Sequence, residues 1–201
     1  MDFDEVIDLR RSVRKFKSGK VNWRDVLEAI DSSLNGPFAA NQNNFKFLIV
    51  EDNDKIGKIA DACDQDWIGT SKTLVLICSD DANLENIFGD KGRVYSRQQA
   101  GAVVNTFCLK LVDLGLSSCW VGSYDDDEIR EILEIPNNFQ VEAIVPVGYG
   151  DDNYPRKGKK KLESVLYWDK WGKDGRTNLL EEETKKIGER TFESIHSMKR
   201  Y

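Results

Sequence analysis

Three features of the sequence predict an α+β fold. Helix-period and strand-like segments alternate without regular βαβ units, residues 73–78 are continuously apolar, and residues 99–114 are helical in length and apolar on nearly every side. With 201 residues, 40% of them hydrophobic and 10% aromatic, the chain is long enough to bury a substantial core in one domain. A formal charge of -6 and a pI near 5.0 argue against general nucleic-acid or membrane-surface binding.

The first element is a short helix with Phe3, Val6, Ile7 and Arg10 on one face and acids at its start. Asn22 is expected to N-cap the next, whose stripe is Trp23, Val26, Leu27, Ile30 and Leu34; Gly36 and Pro37 stop it. A polar loop over residues 38–44 leads into a strand over Phe45–Val50. Asn53 is expected to cap a helix that turns Ile56, Ile59, Ala60 and Cys63 inward. Residues 73–78 read as a strand buried on both faces. Residues 79–96 are polar, carry Phe88, Gly89, Gly92 and Tyr95, and read as a mobile cover over a site.

The helix over 99–114 is interrupted only by Asn105, Thr106, Lys110 and Asp113. A helix apolar all round must be covered by its own domain, by lipid or by a partner, and this one is too short and too interrupted to span a bilayer. Gly115 ends it as a C′ residue. A short buried strand over 116–121 follows, and Gly122 is placed for close approach of its backbone to a ligand. Asp125 and Glu128 form a capping-box pattern for a helix through Leu133, and residues 141–148 make another strand. The organisation expected is a single domain over 1–170 and a charged, helical tail over 171–201 that is exposed or contacts a partner subunit.

Several chemistries are excluded. The one histidine, His196, lies in the charged tail, which removes His-rich metal sites and Ser-His-Asp catalysis. No phosphate-binding glycine motif follows a predicted strand. Cys63, Cys78, Cys108 and Cys119 are widely separated in apolar surroundings and read as reduced core thiols. With an acidic N-terminus lacking a signal-peptide run, they point to the cytoplasm. An enzyme of this composition needs a cofactor to carry its chemistry.

Two basic clusters stand out in the acidic chain. Arg10, Arg11 and Arg14 surround Ser12, and residues 156–161 hold Arg156, Lys157, Lys159, Lys160 and Lys161. A charge run is ordinarily a solvated face, but guanidinium forks beside a hydroxyl also suit a phosphate, here that of a small molecule. The loop from Pro37 to Asn44 is rich in amides, which fits an Asn-rich turn and equally the hydroxyls and pyrimidine edge of a flavin.

Four ordered pieces resemble the FMN-dependent nitroreductase family: Arg10-Arg11-Ser12-Val13-Arg14-Lys15-Phe16, residues 37–47, Gly115-Leu116-Ser117-Ser118-Cys119-Trp120-Val121-Gly122, and Pro146-Val147-Gly148-Tyr149 with the lysines beyond. The resemblance implies a mostly antiparallel central sheet flanked by helices and an intertwined homodimer with FMN at the interface. By it, Arg10, Arg11, Ser12, Arg14, Lys159 and Lys160 would hold the phosphate and ribityl chain. Pro37, Phe38, Ala39 and Asn41 would reach the flavin from the other subunit, and Trp120, Val121 and Gly122 would lie along its ring. No side chain would serve as catalytic acid or base. NADH or NADPH would be the reductant, and the acceptor a small electron-poor molecule such as a nitroaromatic or quinone. A dehalogenase or flavin-fragmenting enzyme of the same fold, or a non-enzymatic flavin-binding sensor, are the alternatives. Three positions depart from the family pattern: Phe38 replaces a serine, Asn43-Asn44-Phe45 replaces Gln-Pro-Trp, and Val121 stands where some members carry an acid.

Overall fold

Strand β2, Thr73–Asp80, is buried along all but its last residue and pairs on both sides, antiparallel with β1 (Phe45–Val50) and with β4 (Phe139–Gly148). A two-residue strand β3, Ser117–Ser118, closes the other edge in the order β1-β2-β4-β3, every pairing antiparallel. The computed structural model describes residues 1–150, 160 and 164–172, divided into two compact units, Met1–Tyr154 and Pro155–Tyr201. The sheet and six helices make up the described part of the first: α1 Phe3–Leu9, α2 Trp23–Ser33, α3 Asn53–Ala62, α4 Ala82–Phe88, α5 Lys91–Asp113 and α6 Asp126–Leu133. The α+β class holds.

The period-two alternation of β2 feeds two cores. Val75 and Ile77 face α2 and α5, packing with Val26, Ala29, Val103, Phe107 and Leu111, while Leu74, Leu76 and Cys78 join Ile56, Ile59 and Ile129 of α3 and α6. The pairing of β2 with β4 shifts between Ile77, opposite Ala143, and Cys78, opposite Val141, so Glu142 is an extra residue on the bulged strand. Ser79 donates to the Glu142 carboxylate at 2.5 Å, and Arg97 of α5 pairs with both Glu142 and Asp81.

Several boundaries differ from expectation. Asp52, not Asn53, caps α3, accepting from the Lys55 N–H at 2.9 Å. Residues 79–96 are not an irregular cover: they form the end of β2, α4 and the first turns of α5. Leu84 is fully buried, and a Cβ at Gly92 would lie 2.4 Å from the Leu84 backbone, so α4 packs directly on α5. The buried face of these turns is Gly92, Ser96 and Gln99, which carries no apolar period to read. The strand expected over 116–121 lapses at Cys119 and Trp120 and resumes with a Val121–Ile144 bridge.

α5 is covered on one side only within the described residues. Ala100, Val103, Val104, Phe107 and Leu111 are buried, whereas Val94, Gln98 and Asn105 are exposed. Phe3 and Ile7 of α1 and Trp23 and Leu27 of α2 are exposed too, so the predicted stripes of these helices are only partly used. No helix among the described residues is long and apolar enough to cross a membrane.

In the second unit, Lys160 is exposed, and the Tyr167 and Trp171 rings approach to 4.9 Å between centroids. Lys159 and the tail beyond residue 172 lie outside the described residues.

Candidate functional site

After α1 the chain runs extended along the sheet edge. Val13 N–H donates to the Ser118 carbonyl at 3.0 Å and Lys17 N–H to the Tyr149 carbonyl at 2.8 Å. Bridges pair Ser12 with Ser118 and Phe16 with Gly150. Val13 and Phe16 are the buried anchors. Their seat depends on glycine: a Cβ at Gly148 would lie 2.8 Å from the Phe16 ring, and one at Gly150 would lie 2.5 Å from the Ser117 hydroxyl.

This alternation turns Ser12 and Arg14 outward together. Arg11 bends back to donate to the Arg10 carbonyl at 2.7 Å, and the Arg14 guanidinium stands 5.8 Å from the Trp67 ring centroid. Burial raises the Cys119 thiol pKa, opposed by the charge of Arg14, a hydrogen bond with Ser12 and the charge of Arg10. Burial likewise raises that of Cys108, against a hydrogen bond with Ser118 and the charge of Arg10. Ser12 is thus bridged to Ser118, and the charges of Arg10 and Arg14 both act on the Cys119 thiol that follows it. An exposed hydroxyl beside guanidinium groups fits a phosphate dianion.

Trp120 follows directly and is 45% exposed, turned out of the interrupted strand. Gly122 is exposed, with only the Trp120 indole nitrogen, at 3.9 Å, near its notional Cβ. Nothing in the described chain crowds Gly122; the crowded glycines of this edge are Gly148 and Gly150. Val121, expected along the ring, lies between Trp120 and Gly122. Its side chain is 3% exposed in the core, and its N–H and C=O both pair with Ile144, at 2.9 and 3.1 Å. Trp120 and Gly122 remain to present a surface here.

The loop from Pro37 is a second cluster, distinct from the first. Pro37 and Asn41 are exposed, whereas Phe38 packs on the core with its ring 6.1 Å from that of Phe45. Much of the amide wealth is spent internally: Asn43 Oδ1 accepts from the Phe45 N–H at 3.1 Å, and Asn44 Nδ2 donates to Ser96 Oγ at 2.8 Å. The loop meets α5 at Gln99, where Ala39 N–H donates to Oε1 at 2.7 Å. Cys108, beside Ser118, lies nine residues farther along α5, about 13 Å. The structure thus joins Arg10, Ser12 and Arg14 to Trp120 and leaves Pro37, Phe38, Ala39 and Asn41 apart. Lys160 belongs to the second unit. Trp67, Gln99, Gly148 and Gly150 are site-shaping residues that the sequence reading missed. Only tertiary contacts reveal the first two; Gly148, the last residue of β4, and Gly150 two residues on were a legible sign of close approach.

An open antiparallel sheet flanked by helices, with Ser12 and Arg14 exposed along one edge and Trp120 exposed nearby, defines an α+β protein. Residues 7–149 match the model of the Nitroreductase family, and the chain belongs to that family. It is 26% identical over 169 residues to the iodotyrosine deiodinase of Thermotoga neapolitana, covering 76% of this chain and 91% of that one. It is also 26% identical over 157 residues to a Methanothermobacter thermautotrophicus protein provisionally named an NADH dehydrogenase/NAD(P)H nitroreductase, covering 76% and 80%. The crystal structure of a BluB-like flavoprotein from Clostridium difficile 630 superposes with a TM-score of 0.73 at 25% identity, over 85% of this chain and 100% of that one.

Proposed function

We propose that the protein is an FMN-dependent oxidoreductase that draws electrons from NADH or NADPH and passes them to a small electron-poor acceptor such as a nitroaromatic or quinone. The observation that carries this reading is the continuity of one edge: exposed Ser12, two residues before exposed Arg14, is bridged to Ser118, two residues before the exposed Trp120. A phosphate at one end and a flat ring at the other match a flavin mononucleotide. The nicotinamide reductant is supported by the name of the Methanothermobacter relative, and the flavin by that of the C. difficile structure.

Bound FMN would accept a hydride from the nicotinamide and return the electron pair to the acceptor. The chain's own part is binding and placement. Arg10, Arg11 and Arg14 neutralise the phosphate, the Ser12 hydroxyl donates to it, and Lys159 and Lys160 are proposed to add charge. Trp120 and Gly122 flank the ring and exclude water from it. Pro37, Ala39 and Asn41 approach from a second copy, whose docking would cover the apolar surface left on α1, α2 and α5. No side chain is assigned as catalytic acid or base.

The test is spectral. Purified protein should be yellow, bleach with NADH or NADPH without oxygen, and regain colour when a nitroaromatic or quinone is added. Protein that takes up no FMN ends this reading. The deiodinase relative favours a second reading, reductive dehalogenation. Iodide release from iodotyrosine by the reduced protein, without nitroaromatic turnover, would select it.

A further inference from the structure

Two consecutive non-glycine residues of the loop, Ala40 and Asn41, hold positive φ, 49° and 56°. Left-handed backbone is disfavoured for an L-residue with a Cβ, more for Ala40 than for Asn41, so something must impose the conformation. Packing does so on one side only: Phe38 is seated on the core, while Pro37 and Ala39 border a cavity of about 230 Å³ also lined by Tyr95, Gln98, Gln99 and Ala102. The loop's own turn adds Asn41 N–H to the Phe38 carbonyl and Gln42 N–H to the Ala39 carbonyl, both at 3.0 Å, and the hydrogen bonds that tie the turn to α5 meet at one side chain. Gln99, 4% exposed, accepts from Ala39 N–H at 2.7 Å and donates to the Gln42 carbonyl at 3.3 Å and to Asn44 Oδ1 at 3.1 Å. Asn44 is fixed in turn by Ser96 Oγ at 2.8 Å and the Asp80 carbonyl at 3.1 Å. The bonds to Ala39 and Gln42 bracket the two strained residues.

We infer that Gln99 is the positioning residue of the 37–42 loop, setting from the middle of α5 where Pro37 and Asn41 meet the cofactor. The flavin part of this inference rests on the function proposed above; the positioning part does not. The amide needs both ends, since one oxygen receives Ala39 while the nitrogen serves two acceptors. Methionine keeps the volume and loses every bond. Glutamate keeps the acceptor, and supplies a donor only when protonated.

The experiment compares wild type, Gln99→Met and Gln99→Glu by amide hydrogen exchange before flavin loading and by FMN titration. In Gln99→Met, Ala39 should lose at least about tenfold of its protection and FMN should bind about tenfold more weakly, equivalent to 1.4 kcal/mol. The Val103 and Phe107 amides should keep their protection. In Gln99→Glu, Ala39 should stay protected at both pH values because the carboxyl accepts in either form, whereas the Gln42 N–H, bonded to the Ala39 carbonyl in the turn, should approach wild-type protection near pH 4, where the carboxyl is largely protonated and donates, and lose it near pH 8. A side chain that merely fills space gives no such pH dependence. Unchanged Ala39 protection in Gln99→Met, or a pH-independent Gln99→Glu, overturns the inference. Wild type that binds no FMN defeats the functional reading alone, because the exchange measurements still decide the role of Gln99.

Discussion

Val13 N–H reaches the Ser118 carbonyl at 3.0 Å, tying the arginine segment to the strand that presents Trp120. Two stretches far apart in the chain become one continuous edge, so damage at either end should be felt as lost cofactor affinity.

Arg14→Ala should weaken FMN binding roughly ten- to hundredfold, as expected for about 1.5–3 kcal/mol from a charged hydrogen bond. Ser12→Ala should cost only severalfold. Fluorescence titration reads the affinity, and circular dichroism should show an unchanged fold. Equal, small losses from both substitutions would move the phosphate elsewhere.

Mixing subunits tests which chain the Pro37 loop serves. A heterodimer of an Arg14→Ala chain with an Asn41→Asp chain has one intact site if the loop crosses to the partner's flavin. It then binds half the wild-type flavin at full affinity. If the loop serves its own chain, each site carries one lesion, and no full-affinity binding remains.

Gly148→Ala places a methyl against the Phe16 ring, at 2.8 Å before any adjustment. Phe16 must move and loosen the extended segment that carries Ser12 and Arg14. We expect a loss of about 1–3 kcal/mol in stability from overpacking, together with weaker FMN binding. A companion Phe16→Leu substitution should restore part of both in thermal melts and titrations.

Arg97 compensates Glu142, whose side chain is nearly buried at the bulge. Arg97→Met should lower stability by about 3 kcal/mol by leaving that carboxylate without its cation. Adding Glu142→Gln should return most of the loss. A double-mutant cycle by urea denaturation supplies the coupling.

Alkaline pH should weaken the fold through two thiols. Burial pushes both Cys63 and Cys78 up to about 11 from 9.0, with Glu128 adding to the first and Arg130 opposing the second. Above the unfolded value the unfolded chain binds fewer protons than the native one. Their stabilisation is therefore complete below about pH 9 and lost as pH climbs through about 11. The urea midpoint should fall less steeply over that window in Cys63→Ala/Cys78→Ala than in wild type.

The sequence disclosed what is local or periodic. Asn22 and Asp125 cap the helices they were expected to cap, β1 spans the residues expected of it, and β2 is buried on both faces. The arginine segment was legible because five cations within eight residues are conspicuous in an acidic chain. The start of α5 was hidden because its inward face is glycine, serine and glutamine rather than apolar. The place of Val121 in a motif is visible in sequence, whereas its bridge to Ile144 is a tertiary fact. Trp67 and Gln99 carried no local mark of their contacts with Arg14 and Ala39.

The extra residue in β4 works as a phase setter. Because Glu142 is skipped in the pairing, Ala143, Val145 and Val147 face one core while Val141 faces the other. Deleting Glu142 would leave Val141 and Ala143 opposite Cys78 and Ile77 in an unbroken ladder, each side chain keeping its core, while Arg97 would retain Asp81 and Ser79 as partners. A one-residue gap at this point in a homologue should therefore leave both cores intact and remove only the nearly buried carboxylate, together with the kink that the bulge puts into β4.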